Sequence, residues 1–132
     1  MKTNFRCNCG FTTDSESYIE GHKQQHTLNG LGGKKDDQEK PMMDLLDPKV
    51  MVEMAKVLTH GAEKYGKYNW RKGLCSTRTT AAALRHIFSY LDGNDIDEDS
   101  GQHHLACALV ELMFTLRFSL TRKDLDDRYK EE

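Results

Sequence analysis

From Met42 to Leu120 apolar side chains recur every three or four residues in three separate runs. That periodicity allows little besides helices packed on one another. The first helix is predicted to begin at Pro48. Asp47 is a good N-cap, and a proline at the first helical position gives up no needed hydrogen bond. Met51, Met54, Leu58, Ala62 and Tyr65 then form one stripe, and Gly66 is a natural stop. A loop, KYNWRKGLCS, follows. The second helix is expected from Ser76 or Thr77 to Leu91, burying Leu84, Ile87, Phe88 and Leu91. The third runs from about Gln102 to Leu120, with Leu105, Leu109, Leu112, Met113, Leu116 and Leu120 on its apolar side. Residues 92–101, DGNDIDEDSG, are too acidic and too glycine-punctuated to continue a helix. The charged tail from Thr121 should continue as a solvated helix or fray. With almost no β-type alternation, the fold class is all-α, a helical bundle. One chain is short of partners to cover these stripes, so a homo-oligomer is expected.

A chain of 132 residues has room for one ordinary domain and a small appendage. Three zones separate: a metal-binding module over 1–26, a linker over 27–41 (TLNGLGGKKDDQEKP), and the helical domain over 42–132. The net charge of −2 does not suit a protein built to coat nucleic acid. No apolar run reads as approaching the roughly 18 residues of a membrane span, and the N-terminus lacks the apolar segment of a signal peptide. A cytoplasmic location, with no membrane partner, is the expectation. There the four cysteines should be thiols or metal ligands, not disulfides.

Cys7 and Cys9 are separated by one residue, and twelve residues later His22 and His26 stand four apart. Histidines at that spacing share one helix face and can reach one ion. Phe5, Phe11 and Ile19 offer a core far too small to fold without metal. The pattern resembles a two-cysteine, two-histidine zinc finger, with a tighter knuckle because the usual spacing is two to four. The expected cofactor here is a structural Zn2+. Nucleic acid is not the expected partner, because a single finger binds weakly and its helix carries Glu16 and Glu20.

Cleaving a phosphoanhydride requires carboxylates for a divalent cation and cations for phosphates. The polar positions flanking the apolar stripes are Glu53 and Lys64 on the first helix, His86 on the second, and His104 and Glu111 on the third. Each has the plainer reading of a helix edge meeting water, as do Lys56 and Glu63 on the outward face. The loop adds Asp92, Asp95, Asp97, Glu98 and Asp99, whose mutual repulsion a cation would relieve. It is not a calcium loop, since the twelfth position is Ala106 where a glutamate is required. Magnesium held by one or two carboxylates and waters suits it better. Trp70 and Tyr68 offer flat faces and Asn69 an amide for a purine edge; the equally weighted alternative is that Trp70 plugs the bundle end. Lys34, Lys35 and Lys40 could close over a triphosphate or simply be solvated.

The motifs also come in a familiar order. Asp37-xx-Lys40-Pro41, Asp44-Leu45-Leu46 and Gly61-Ala62-x-Lys64-Tyr65-Gly66-xx-Asn69-Trp70-Arg71-x-Gly73 are followed by Arg85-His86, Gly93-x-Asp95-x-Asp97 and Ser100-Gly101-xx-His104-Leu105-Ala106. Over residues 33–118 this resembles the phage dATP/dGTP diphosphohydrolase family, related to the MazG-type all-alpha nucleotide pyrophosphohydrolases. The resemblance implies an enzyme that uses Mg2+, or a similar ion such as Mn2+ or Co2+, to convert a purine deoxynucleoside triphosphate to its monophosphate and pyrophosphate. It implies dGTP and also dATP as substrates, with dGMP serving 2-aminoadenine nucleotide synthesis in some phages.

On that reading Asp95, Asp97 and His104 are catalytic and, with Glu53, hold the metal. Lys64, Arg78 and Arg85 contact phosphates, Asn69 and Trp70 bind the base, and Lys35, Lys40 and His86 also bind substrate. Three positions depart from the family pattern: Asn94 stands where a glutamate is usual, Cys107 where a histidine is common, and Glu111 where asparagine is more frequent. Two rival readings are a zinc-finger adaptor with a helical assembly domain, and an inactive relative that only binds nucleotides.

Overall fold

The computed structural model describes residues 4–28 and 34–132, with side chains described at 4–23 and 34–132. The chain divides into two compact units, Met1–Pro41 and Met42–Glu132. The first contains a short antiparallel hairpin, β1 (Phe5–Arg6) and β2 (Thr12–Thr13), followed by helix α1 (Glu16–Leu28). Phe5 pairs with Thr13 and Arg6 with Thr12. Ser15 starts α1: its carbonyl accepts from the Ile19 N–H at 3.1 Å, and its hydroxyl from the Tyr18 N–H at 3.4 Å.

The second unit is built on three helices, α2 (Pro48–Tyr65), α3 (Ser76–Leu91) and α4 (His104–Thr121). Asp47 caps α2, its carboxylate accepting from the N–H groups of Lys49 and Val50 at 2.8 and 3.1 Å. Gly66 ends the helix at φ 92°, a conformation that costs glycine least. Both α2 and α3 pack on α4, α3 the more extensively. Thr79 Oγ1 lies 2.7 Å from Thr115 Oγ1, and His86 Nδ1 lies 2.9 Å from His104 Nδ1. The later residue of α3 thus meets the earlier residue of α4, so the two run antiparallel.

The helices fall where their periodicity puts them, but α3 and α4 turn a different face inward. Buried residues are Ser76, Thr79 and Ala83 on α3, and His104, Cys107 and Ala108 among those of α4. The leucine stripes point out: Phe88 is 62% exposed, Leu91 72% and Leu116 61%. The cause is side-chain size. Alanine, serine, threonine and cysteine let two backbones approach closely, and the threonine pair satisfies both hydroxyls at that contact. Trp70 closes one end, its ring stacked 4.8 Å from Phe114 and edge-on to Phe118 at 5.9 Å.

Two further expectations are corrected. α4 is long and apolar enough, by length and composition, to cross a membrane, although no such run was expected. In the fold it is the central helix on which α2 and α3 pack. The tail neither frays nor extends α4. It forms a 3-10 turn over Lys123–Leu125 and returns to α3, where Asp127 accepts from the Thr77 N–H at 2.9 Å and from its hydroxyl at 2.5 Å. Gly73 permits that return: a Cβ there would sit 3.2 Å from Leu125 Cδ1, and its φ is 118°.

Candidate functional site

The acidic loop is shaped first by backbone bonds to the start of α4. The Asp97 N–H donates to the Gln102 carbonyl at 2.9 Å, and the Gly101 N–H to the Asp97 carbonyl at 2.7 Å. The His104 N–H donates to the Asp95 carbonyl at 2.8 Å, and Ile96 pairs with His103 as an isolated bridge. Gly101 supplies the positive φ, 70°, that this tight return needs. His103 then caps α4, its Nδ1 accepting from the Leu105 N–H at 3.0 Å.

Held this way, Asp97 meets the two imidazoles. The ligating atoms of His86, Asp97 and His104 all lie within 4.8 Å of one another. One Asp97 oxygen accepts from the Ser100 N–H at 3.0 Å and from its hydroxyl at 2.6 Å. Partial burial opposes charge on Asp97, but the Ser100 bonds and the fields of His86 and His104 outweigh it, holding the carboxyl below its ordinary range. Burial lowers the pKa of His86, with Asp97 opposing and His104 and Arg85 adding to the shift. Below its ordinary value, His86 is neutral at pH 7 and keeps a lone pair to donate.

The donor set decides which ions fit. Two imidazoles and one carboxylate match a borderline divalent ion of the Mn2+ or Co2+ kind better than Mg2+, which favours an all-oxygen shell. The two Nδ1 atoms, 2.9 Å apart, stand close enough that both could reach one ion.

Further side chains extend the site along α3 and α4. Burial raises the pKa of Glu111, and the guanidinium groups of Arg85 and Arg78 offset it only in part. Cys107 is buried and its thiol pKa is raised, first by desolvation; among its other influences, Asp97 and Glu111 both raise it. Its Sγ is 3.8 Å from the Ser100 hydroxyl. Asp97, Cys107 and Glu111 therefore belong to one electrostatic neighbourhood edged by two exposed arginines.

Other expected site residues lie elsewhere. Glu53 is ion-paired to Lys56 at 2.7 Å and belongs to no ligand cluster among the described residues. The Asp95 side chain is exposed, and its part in the loop is through its carbonyl. Lys64 approaches Asp99 at 3.8 Å, tying α2 to the acidic loop. Asn69 is half-buried in a 3-10 turn, Asn69–Lys72. The Trp70 ring is engaged by Phe114, Phe118 and, at 4.8 Å, the Arg71 guanidinium. Phe114 is ten residues, about 15 Å along the axis, from His104, further than a scissile phosphoanhydride lies from its own base.

Lys35 and Lys40 belong to the first unit, where the Lys40 ammonium donates to the Asp36 carbonyl at 2.6 Å. His86, expected to bind substrate, stands among atoms that could ligate a metal. Sequence reasoning gave Ser100 no role, although Asp-x-x-Ser is the spacing at which an aspartate side chain accepts from a local N–H.

Recesses of about 470 Å³, lined by Phe88, Ser89, Leu91, Asp92 and Asn94, and about 260 Å³, beside Trp70 and Phe118, do not include the triad. His104 is buried, and His86 and Asp97 are half-buried.

Residues 31–128 match the family model for dATP/dGTP diphosphohydrolase, N-terminal. The chain belongs to that family. The dATP/dGTP diphosphohydrolase of Salmonella phage PMBT28 is 41% identical over 98 residues, which are 74% of this chain and 33% of the phage protein. The chain thus matches about one third of the length of that relative. No solved structure matches. The triad, Ser100, Glu111 and both arginines fall inside the family match; the hairpin cysteines and His22 fall outside it.

Proposed function

We propose that the second unit hydrolyses dGTP and dATP to the monophosphate and pyrophosphate with the aid of a divalent cation. The single observation that carries this reading is the convergence of His86, Asp97 and His104 within 4.8 Å, in a chain of the dATP/dGTP diphosphohydrolase family.

His86 Nδ1, His104 Nδ1 and the Asp97 carboxylate would hold the ion, with Co2+ and Mn2+ favoured over Mg2+ by the donors. Bound there, the cation supplies charge neutralisation to the phosphate oxygens. Ser100 keeps Asp97 ionised and aimed. Arg78 and Arg85, two helical turns apart on α3, meet the remaining phosphate charge. Glu111, its pKa raised by burial, accepts a proton from the attacking water. The water oxygen bonds to phosphorus, the α,β bridge breaks, and pyrophosphate departs. Lys64 and Asp99 brace the loop against α2.

A second copy packs on this unit. Leu84, Phe88 and Leu91 on α3 and Leu109, Leu112 and Leu116 on α4 are exposed in one chain. Exposed apolar surface of that extent marks an association face.

The test incubates the purified chain with each deoxynucleoside triphosphate and Co2+, Mn2+ or Mg2+, then separates products. Monophosphate and pyrophosphate from dGTP and dATP are expected. Bound but intact nucleotide would leave a binding protein, and neither binding nor turnover would overturn the reading for this chain.

A further inference from the structure

The first unit gathers another set of ligating atoms, outside the region that matches the family. The Cys7 and Cys9 sulfurs and a His22 ring nitrogen lie within 4.8 Å of one another, with Cys9 Sγ 3.1 Å from His22 Nε2. Three features build this cluster. The hairpin turns tightly between the strands: the Cys7 N–H donates to the Phe11 carbonyl at 2.8 Å, and the Gly10 N–H to the Cys7 carbonyl at 2.9 Å. Gly10 adopts φ 96° to allow it. The Phe11 ring then stacks at 4.3 Å on the His22 imidazole, fixing its plane.

What holds the hairpin to α1 is otherwise hard to supply. Among the described residues of this unit only Ile19 and Cys7 are buried, and both strands have two residues. Apolar burial on that scale does not stabilise an independent fold, and small domains commonly use a metal or disulfides instead. The cysteines form no disulfide. Two sulfurs and an imidazole are the donors zinc prefers, and its bond lengths give tetrahedral edges of about 3.5–3.8 Å, inside the 4.8 Å within which all three ligating atoms lie. His26 stands one helical turn beyond His22 in α1; its side chain lies outside the described residues.

We propose that Cys7, Cys9 and His22 bind one structural zinc ion that fastens the hairpin to the helix. Held outside the region that matches the family, the ion would organise the fold and take no part in nucleotide chemistry.

The test measures zinc in the full chain by mass spectrometry after dialysis, for the wild type, Cys9→Ser, His22→Ala, His22→Cys and His86→Ala. About one equivalent is expected in the wild type, in His22→Cys, which keeps a ligand, and in His86→Ala. Cys9→Ser and His22→Ala should lose it. Cobalt in its place should give thiolate-to-cobalt charge transfer and the intense visible bands of a tetrahedral site, both absent in Cys9→Ser. A chelator should collapse the amide signals of residues 5–23 and spare those of α2–α4. Zinc content unchanged by Cys9→Ser, or first-unit signals indifferent to a chelator that removes all zinc, would overturn the proposal. Neither outcome bears on hydrolysis by the second unit.

Discussion

His86 Nδ1 stands 2.9 Å from His104 Nδ1 across the contact between α3 and α4. Without a cation one nitrogen must carry a proton that the other accepts; with one, both lone pairs converge on the ion. His86→Ala removes one ligand while keeping the helix, since His86 is only half-buried. The expected result, by isothermal titration with Mn2+ or Co2+, is a loss of affinity of more than about 100-fold, above the usual effect of an outer hydrogen-bonding partner. Turnover should fall with it. Equal affinity in both proteins would remove His86 from the metal site.

Ser100 supplies both hydrogen bonds that orient Asp97, but its side chain provides only one of them. Ser100→Ala should therefore weaken metal binding by about 10–100-fold while saturating metal restores much of the turnover. Asp97→Asn, which loses the charge itself, should not be rescued that way. Measuring kcat against metal concentration separates the two.

Glu111 is held above the ordinary carboxylate range by burial. If it accepts the proton from water, the acid limb of kcat/KM should lie above pH ~4.3, the ordinary glutamate value, and Glu111→Gln should lose about 100-fold or more in turnover. Stability should move the other way. A raised folded-state pKa contributes stability below the unfolded value and loses it as pH rises through the folded one. Glu111→Gln cannot ionise, so its Tm at pH 7 should exceed that of the wild type. Reduced activity with raised Tm is what a strained functional carboxylate predicts, and parallel losses would indicate a structural role.

The three helices of the second unit were legible because period and caps are local properties: Asp47 before Pro48 and Gly66 after Tyr65 mark α2 by themselves. The inward face was not. Hydrophobicity put Leu84, Phe88 and Leu91 of α3 on a buried face, whereas close approach to α4 selected Ser76, Thr79 and Ala83. A pattern read along one helix does not reveal whether its partner is in the same chain. Within the site, His104 and Asp97 were legible as candidate ligands from residue type and position. The place of His86 depended on the antiparallel register of α3 on α4, a tertiary relation, and so did the Arg78, Arg85 and Glu111 neighbourhood. Trp70 drew attention as an aromatic near Asn69, but Phe114 and Phe118, more than forty residues on, decide what its ring touches.

The outward leucines carry their own prediction. Leu116 is 61% exposed in one chain, so Leu116→Glu should change the stability of an isolated chain by no more than about 0.5 kcal/mol. If a second copy covers that face, the same substitution buries a charge between subunits and should dissociate them. Sedimentation equilibrium should then report an oligomer for the wild type and a monomer, with unchanged helical circular dichroism, for the variant. A wild-type chain that is monomeric at high concentration would refute the assembly.

Asp127 reaches α3 from fifty residues away and accepts from the N–H and hydroxyl of Thr77. Cys75, at the N-cap position, makes no side-chain cap bond, so the tail supplies locally what the helix lacks. Those bonds hold the Asp127 pKa below its ordinary value. A depressed folded-state pKa gives stability that is present above the unfolded value and is lost as pH falls through the folded one. Asp127→Ala should therefore lower Tm at pH 7, and the gap from the wild type should narrow as pH drops below ~4. Truncation after Leu125 should produce the same loss, because it removes the same acceptor. A gap that stays constant down to pH 2 would mean that the tail stabilises α3 by packing at Gly73 and Leu125, with no contribution from the carboxylate.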